Sequence, residues 1–419
     1  MTADIPASPP APLKGVRVLD LSRILAGPWT AQMLADLGAE VIKIERPGSG
    51  DDTRGWGPPY AKADGDDGRG EAAYFMGANR GKKSLAIDLK SPDGAALVRK
   101  LAADSDILIE NFKVGDLARY GLDPTSLHEI NPRLIVCSIT GFGQTGPRAS
   151  QAGYDLMIQG MAGLMSITGP GDDQPGGAPT KVGVAVVDIL TGLNAAIAIL
   201  AALAERHRTG KGRHVDLALY DVCAASLANQ AMNFLISGQS PVRMGNKHPN
   251  IAPYETYAAA DGHLILAVGN DGQFRKFCQV AGLSDLPDDP DYATNSARVA
   301  NRVALSAMLE PVLRGRMRDD WLEALKAVGV PCGPINTIQE VFADPHAVAR
   351  GLVRDLPHAT LGSVPTVSSP IRFDGDAPVS DRAAPVLGQD SADILESVLG
   401  LSRDDIDDLV ARGVVQVSS

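Results

Sequence analysis

Cysteine is scarce in this 419-residue chain, and the four cysteines lie far apart. They are Cys137, Cys223, Cys278 and Cys332, with no C-x-x-C pair and no histidine at metal-ligand spacing. This spacing argues against a disulfide framework and against a structural zinc, and it predicts reduced thiols in a cytoplasmic protein that holds no metal. Aromatic residues make up only 5% of the chain, which favours closely packed Ala- and Gly-rich helices on a sheet.

Basic tracts and long apolar runs are also lacking. Lys and Arg are scattered and the formal net charge is −11, which argues against nucleic acid or an anionic membrane as a main partner. Residues 1–12 have no basic segment followed by an apolar one, so a signal peptide is not predicted. The longest apolar run, residues 189–203, is too short to span a bilayer.

Alternating strand and helix patterns fill the first part of the chain, whose length is enough for two domains. Apolar strands are predicted at residues 16–21, 40–44, 107–109 and 134–138. Helices are predicted between them, near 28–37, 92–103 and 123–131. Strands and helices that alternate with short links predict a doubly wound α/β fold with a mostly parallel sheet.

The clearest helix starts at Asp188, because apolar residues at 190, 193, 197, 200 and 204 fall on one stripe. A basic last turn before Gly210 is typical of its C-terminus. Composition shifts after the next strand, at 214–219. We therefore predict a large Rossmann-like domain from residues 1–222 plus 331–419, and a smaller α+β domain at 223–330.

A nicotinamide site is the first functional hypothesis that this fold raises. The turn after the first strand, residues 21–28, reads LSRILAGP and lacks G-x-G-x-x-G. Those glycines let a pyrophosphate approach the backbone, so a nicotinamide- or flavin-dependent oxidoreductase is disfavoured. The helix N-terminus there remains available to another phosphate.

A resemblance to a known family begins at this turn and continues in consistent order from about residue 13 to 400. It rests on LKGVRVLD (13–20), AGP (26–28), LGAEVIKIE (37–45), NRGKKS (79–84), IENF (109–112), NPRL (131–134), GYD (153–155), RTGKG (208–212) and PCGP (331–334). These segments resemble the family III CoA-transferases, the CaiB/BaiF family that includes formyl-CoA transferase. The resemblance implies an interlocked homodimer that moves coenzyme A from an acyl-CoA such as succinyl-CoA to a small carboxylic acid.

Asp188 matches the catalytic aspartate of that family. The sequence pattern alone favours a helix N-cap, and the two interpretations are compatible. At the positive end of a helix we expect the carboxylate to stay ionised, as a nucleophile must be, with amide N–H groups nearby to stabilise oxyanions. The resemblance implies that Asp188 attacks the donor thioester to give an aspartyl anhydride, then an aspartyl-CoA thioester that the acceptor acid attacks.

The resemblance also assigns contacts to coenzyme A. Cations are expected to face its phosphates, and an apolar ring its adenine. The matched set is Arg46, Ile87, Asp88, Leu89, Lys90, Asn111, Phe112, Lys113 and Arg119.

The residues predicted to lie around the acyl group are Arg23, Leu25, Ala26, Tyr74, Tyr154, Asp155, Asn246, Lys247 and His248. Leu25 stands where formyl-CoA transferase has a glutamine that contacts substrate, so formate and oxalate are disfavoured. Arg23 is a candidate partner for the second carboxylate of an acid such as succinate or glutarate. Loop 245–250 has one glycine where the family has a Gly-rich flap, so a flap and an ordinary loop both stay open.

Two other functions stay open. The family includes 2-methylacyl-CoA racemases, which carry His where this chain has Tyr154, and Tyr, with a pKa of about 10, is a poor proton shuttle at neutral pH. A non-catalytic acyl-CoA-binding protein is the second alternative. It predicts that Asp188→Ala changes no activity.

Overall fold

In the computed structural model the described residues are 11–63, 68, 70–378 and 380–418. The strands are β1 Arg17–Asp20, β2 Glu40–Glu45, β3 Tyr60–Ala61, β4 Glu71–Ala72, β5 Lys82–Ile87, β6 Ile107–Glu110, β7 Ile135–Thr140, β8 His214–Ala218, β9 Tyr254–Ala258, β10 His263–Ala267, β11 Cys332–Pro334, β12 Val353–His358, β13 Gly362–Val367 and β14 Val415–Gln416. The helices are α1 Ala26–Asp36, α2 Ala73–Met76, α3 Pro92–Ala103, α4 Pro124–Ile130, α5 Asp155–Met161, α6 Leu164–Ile167, α7 Val186–Thr209, α8 Leu219–Ala225, α9 Ala228–Ser237, α10 Asp271–Ala281, α11 Asn295–Ala300, α12 Arg302–Arg314, α13 Arg318–Ala327, α14 Ile338–Ala343, α15 Pro345–Ala349, α16 Ser391–Ser397 and α17 Arg403–Ala411.

The main sheet has seven strands in the order β14-β5-β2-β1-β6-β7-β8. Only β14 is antiparallel, through its pairing with β5. Numbered by their position in the chain, the parallel strands follow the order 3-2-1-4-5-6, which is that of dinucleotide-binding folds. The predicted parallel-dominated α/β sheet is confirmed.

Apolar residues cover both faces of this sheet. Leu19, Ile42 and Leu108 pack into one core with residues of α3 and α4, and α16 and α17 from the end of the chain join it. Val18 and Val41 are buried too, and they point to the opposite face because side chains alternate along a strand. Burial on both faces explains why these strands are nearly uniform apolar runs.

Strand order brings two loops together at the carboxyl edge of the sheet. β1 and β6 are neighbours, but the chain continues from them to opposite sides of the sheet. In open α/β sheets ligands bind at this kind of switch point. Here the loops are joined by Asn111, whose amide accepts from the Arg23 N–H at 2.9 Å and donates to the Arg23 carbonyl at 2.7 Å.

Helix α7 packs on α1 through its smallest residues. At Gly192 a Cβ would lie 2.8 Å from the Ala26 carbonyl oxygen, so only glycine allows this approach. Thr30 Oγ1 donates to the Gly192 carbonyl at 3.1 Å. The apolar stripe that predicted the helix instead faces outward, with 66% of Ile197 exposed. Within the described residues α7 is the one helix long and apolar enough to cross a bilayer, by length and composition alone.

The described residues divide into two compact units. The first lies within Met1–Gly163, Val182–Ala231 and Pro345–Ser419, and the second within Leu164–Lys181 and Met232–Asp344. Strands β9, β10 and β11 form the antiparallel sheet of the second unit. Its core contains Phe274, Phe277, Leu309 and Trp321. The domain boundaries drawn from the sequence stay a prediction, because compact units need not be independent folding domains.

Candidate functional site

Buried charges hold the turn between β1 and α1. Lys43 Nζ donates to the Ser22 carbonyl, and Lys82 Nζ donates to the Pro28 carbonyl, both at 2.9 Å. Asp20 lies between them, 2.8 Å from Lys82 Nζ, and its other oxygen accepts from the Ser22 N–H at 3.0 Å. Asp20, Lys43 and Lys82 are fully buried. The turn that carries Arg23, Leu25 and Ala26 is therefore anchored from inside the core.

Asp51 completes this buried cluster. Its carboxylate accepts from the Ile24 N–H at 3.3 Å and lies 2.9 Å from Lys43 Nζ. Burial opposes ionisation of Asp51, but the charge of Lys43 and the hydrogen bonds from Lys43 and Thr53 together outweigh it and lower the pKa of Asp51 to about 2. Asp51 therefore stays charged across the physiological range, and so does Lys43, because the nearby carboxylates raise its pKa despite its burial. Burial lowers the pKa of Lys82 to about 8.

A cavity of about 270 Å³ opens beside this turn. It collects most of the residues predicted to bind coenzyme A, namely Arg46, Ile87, Asp88, Leu89, Lys90, Phe112 and Arg119. Eight further lining residues were not predicted, namely Leu21, Lys43, Ile44, Glu45, Gly50, Asp51, Asp116 and Tyr120. The Arg119 guanidinium lies 5.1 Å from the Tyr120 ring centroid. Cations and flat rings in one cavity suit a ligand with several phosphates and a planar base.

A second cavity of about 260 Å³ adjoins the first and shares Arg23, Phe112 and Asp116 with it. Asp188 lines it, as do the predicted residues Leu25, Ala26, Asn111, Lys113, Tyr154 and Asp155. The two cavities are therefore adjacent, and Asp188 lies on the wall of the second. Asn111 and Lys113 were assigned to coenzyme A, and they lie on the second cavity.

Arg23 stands at the junction of the two cavities. Its guanidinium donates to Asp52 at 2.6 Å and lies 6.0 Å from the centroid of the Phe112 ring. Both Arg23 and Asp52 are exposed to solvent, so this ion pair is weak and can be exchanged for another carboxylate. Arg23 is thus available to an anionic ligand in either cavity.

Asp188 is the third residue of α7 and is not its N-cap. The N-cap is Ala185, which has no side-chain oxygen. The N–H groups of Val187 and Asp188 are taken by Asp155, at 2.8 and 3.2 Å. The N-cap interpretation of Asp188 is therefore wrong, and these two amides are not free to stabilise an oxyanion.

The protonation of Asp188 also differs from the sequence expectation. Burial, and next the charge of Asp155, raise the pKa of Asp188 to about 7. The carboxylate is thus only partly ionised at neutral pH. When ionised, a carboxylate of raised pKa is also a stronger nucleophile.

Tyr74 does not line either cavity, but its pKa is affected by the same two carboxylates. Burial, and then the charges of Asp188 and Asp155, raise the pKa of Tyr74. Its ring packs edge-on against Trp56, with centroids 5.2 Å apart. Tyr74 is therefore a neutral phenol that lies close enough to Asp188 for the carboxylate to affect its pKa.

The predicted loop residues lie in the second unit, where the loop is firmly held. Arg302 donates to the carbonyls of His248 and Pro249 at 2.9 and 2.6 Å. Asn246 Nδ2 donates to Thr256 Oγ1 at 2.9 Å, and Lys247 Nζ lies 3.9 Å from Glu255. These bonds describe an ordered loop more than an open flap.

Sequence reasoning missed the buried residues that support the site. Lys43 interrupts an apolar strand, which is the one signal that pointed to it. Asp51 lies in a Gly- and Asp-rich stretch that resembles any surface loop, although its side chain is buried. Among the described residues, no group of three or more His, Cys, Asp or Glu side chains is arranged to bind a metal.

Comparison with known proteins places this geometry in context. Residues 13–391 match the family model of CoA-transferase family III. A succinate–glutarate CoA-transferase of Agrobacterium fabrum is 52% identical over 401 residues, which are 96% of this chain and 98% of that protein. A succinyl-CoA:glutarate CoA-transferase of Homo sapiens is 41% identical over 404 residues, with 96% and 90% covered. The crystal structure of a CAIB/BAIF family protein from Brucella suis has a TM-score of 0.81 at 52% identity, covering 93% of this chain and 100% of that one.

Proposed function

The chain belongs to CoA-transferase family III, and we propose that it moves CoA from succinyl-CoA to a small dicarboxylic acid with Asp188 as nucleophile. The observation that supports this most directly is the position of Asp188 on a cavity that adjoins the one lined by Arg46, Lys90 and Arg119. The relatives named above transfer CoA between succinate and glutarate, and they match nearly the whole chain. A thioester that reaches from one cavity into the other would meet this carboxylate.

The proposed reaction proceeds through covalent intermediates on Asp188. The carboxylate attacks the succinyl thioester carbonyl, the C–S bond breaks, and CoA leaves as a thiolate from an aspartyl-succinyl anhydride. Thiolate then attacks the aspartyl carbonyl and releases succinate, which leaves an aspartyl-CoA thioester. The acceptor carboxylate attacks the carbonyl of that thioester, the C–S bond breaks, and CoA leaves again as a thiolate from a second anhydride. Thiolate finally attacks the acceptor carbonyl, which yields the new acyl-CoA and restores Asp188.

Binding of coenzyme A is assigned to the first cavity. Arg46, Lys90 and Arg119 bring positive charge that suits a 3′-phosphate and a diphosphate. Phe112 and Tyr120 offer ring faces to the adenine. The assignment is supported by seven of the nine matched residues lining one cavity, although the chain as a whole is acidic.

Arg23 is proposed to select dicarboxylic acids. A second carboxylate on the acceptor would replace Asp52 as its partner, because the Arg23–Asp52 pair is exposed. Leu25 and Ala26 add an apolar wall beside it, as a polymethylene chain requires. Formate has no second carboxylate for Arg23, so it should be a poor acceptor.

The decisive experiment offers a panel of acids to the enzyme with succinyl-CoA and identifies new CoA esters by mass spectrometry. Glutarate and similar dicarboxylates are expected to be esterified. Formate, which lacks a second carboxylate, and oxalate, which lacks a polymethylene chain to contact Leu25 and Ala26, should be esterified poorly. Asp188→Ala should lower the rate at least about 10³-fold without lowering the melting temperature. Hydroxylamine should trap the Asp188 peptide as a hydroxamate after incubation with succinyl-CoA. If no acid is esterified, and the α-carbon of a branched acyl-CoA exchanges with deuterium, the racemase alternative replaces this proposal.

A cytoplasmic location is part of the same proposal, and the four cysteines suit it because they form no disulfide. A homodimer is also part of it. Leu193, Ile197 and Leu200 form an exposed apolar stripe on α7, and Leu156 and Met161 are exposed on α5. Apolar side chains in such number favour burial against a second copy. Ile197→Asp should shift the mass in light scattering towards the monomer, while Asn194→Asp, which adds the same charge beside the stripe, should not. A wild-type chain that is monomeric at all concentrations would contradict the dimer.

A further inference from the structure

The start of α7 lacks a cap of its own, although it carries the proposed nucleophile. The first N–H groups of a helix have no partner within it. Here Val186 N–H donates to the Val184 carbonyl at 2.8 Å and Ile189 N–H to the Ala185 carbonyl at 3.1 Å. The two N–H groups between them, those of residues 187 and 188, donate to one oxygen of Asp155. A carboxylate more than thirty residues earlier in the chain therefore does the work of an N-cap.

Asp155 is itself held in place by Gln159. Gln159 Nε2 donates to the other oxygen of Asp155 at 2.5 Å, one turn along α5. The same amide accepts from the Val182 N–H at 3.0 Å through its carbonyl oxygen. Gln159 is fully buried, so its amide has little freedom. The pair thus fastens the segment leading into α7 at residue 182 and again at residues 187 and 188.

This arrangement leaves the Asp155 carboxylate with little capacity for a substrate. It already accepts hydrogen bonds from three N–H donors. A second anion would also be repelled by its charge. Its nearest functional neighbour is Asp188, whose own N–H it holds.

We propose that Asp155 and Gln159 form a positioning clip, which fixes the first turn of α7 so that Asp188 faces the cavity, and which holds a second carboxylate beside it. This inference rests on the proposed function, since it assigns a role relative to Asp188. It differs from the sequence expectation that Asp155 contacts the acyl group. Asp155 acts through Asp188 and is not itself a catalytic residue.

Several charged and titratable groups lie around Asp188. Asp155 on α5 raises the pKa of Asp188, after the larger effect of burial. Tyr74 on α2 interacts with the charges of both carboxylates. Arg23, Lys113 and Asp116 lie on the walls of the same cavity. Among these groups Asp155 is the one bonded to the backbone of Asp188.

The test compares Asp155→Asn, which keeps an oxygen acceptor and loses the charge, with Asp155→Ala, which loses both. The pH profile of kcat/KM with succinyl-CoA and glutarate should rise through about pH 7 in the wild type, as Asp188 ionises. In both variants the inflection should fall by about one unit, because a like charge has been removed. Asp155→Ala should also lower kcat further than Asp155→Asn, by about tenfold, since α7 then has no cap.

Infrared difference spectra of the protonated carboxyl, referenced to Asp188→Asn, follow the same ionisation without any turnover. They measure the pKa of Asp188 in the wild type and in Asp155→Asn even if no acid is esterified, so a failure of the transferase assignment is distinguished from a failure of the clip. A merely structural Asp155 would lower kcat at every pH and leave the inflection in place. An unchanged inflection, or a raised KM for glutarate with unchanged kcat, would overturn the inference.

Discussion

Two segments deliver the key side chains to the carboxyl edge of the sheet, and they are held in opposite ways. The turn at residues 21–25 is fixed from beneath by the buried charges of Asp20, Lys43, Lys82 and Asp51. The start of α7 is fixed from one side, by the partly exposed carboxylate of Asp155. The first segment shapes the entrance for the ligand, and the second carries Asp188.

The difference matters because buried charges and exposed ones respond differently to change. A buried ion that loses its partner is strongly destabilising, since its desolvation is no longer compensated. The turn is therefore coupled to the folding of the whole sheet. A single carboxylate at a helix end affects mainly that helix turn. The pKa of Asp188 can therefore be changed by substitution of Asp155 without unfolding the protein.

Lys82→Met should have the largest effect on stability. It removes the cation that contacts Asp20 at 2.8 Å and the donor to the Pro28 carbonyl. Asp20 then keeps only Lys43, at 4.0 Å, as a cationic neighbour in the cluster. We expect a loss of about 3–5 kcal/mol in the free energy of unfolding. Urea denaturation at pH 7 measures it.

Lys83→Met is the matched control, one residue along the same strand. Lys83 is 40% exposed and pairs with Glu40 at 2.6 Å, so its loss should cost less than about 1 kcal/mol. If the two variants unfold at the same urea concentration, the buried cluster does not anchor the turn more firmly than a surface pair would.

Asp188→Asn should stabilise the protein, in contrast to Lys82→Met. The pKa of Asp188 is about 7 in the folded state, against an ordinary value of 3.8 for an aspartate in the unfolded chain, so the folded chain binds this proton more tightly. Stability of the wild type therefore falls as pH rises from about 4 to 7, and the neutral amide avoids this loss. We expect the variant to be more stable by about 1–3 kcal/mol at pH 8, allowing for solvent around the carboxylate.

The measurement is urea unfolding of both proteins at pH 5 and pH 8. At pH 5 the gain should drop to about half or less, because Asp188 is then mostly protonated in the wild type. A gain that is equal at both pH values would mean that Asp188 is not raised in pKa, and the contrast between the two segments would weaken.

Sequence reasoning predicted the elements of the fold that a local residue pattern determines. It missed the features that depend on tertiary contacts. β1, β2, β6 and β7 were predicted because burial on both faces leaves a run of apolar residues. β5 was not predicted, because it begins with two lysines, one of which turns inward to Asp20. The apolar stripe of α7 identified a helix but not the side that is buried, which is set by the fit of Gly192 against α1.

In the candidate site, too, features set by local motifs were predicted and features set by tertiary contacts were missed. The residues predicted for coenzyme A gather largely in one cavity, since short motifs at the ends of parallel strands meet at one edge of the sheet. The bond from Asp155 to the first turn of α7 joins residues more than thirty positions apart. No local spacing encodes that bond. The ionisation of Asp188, which depends on it and on burial, was accordingly misjudged.

Asn111→Ala should have the smallest effect on stability. It tests how firmly the turn at residues 21–25 is held at the junction of the two cavities. It removes both bonds to the backbone of Arg23, while the buried charges still hold the rest of the turn. The free energy of unfolding should fall by about 1 kcal/mol or less, and kcat/KM for succinyl-CoA by about tenfold. A double-mutant cycle with Arg23→Ala supplies the control. If Asn111 acts by holding Arg23, adding Asn111→Ala to the Arg23→Ala variant should change the KM for glutarate little further. Additive effects on that KM would instead assign Asn111 a contact with the ligand of its own.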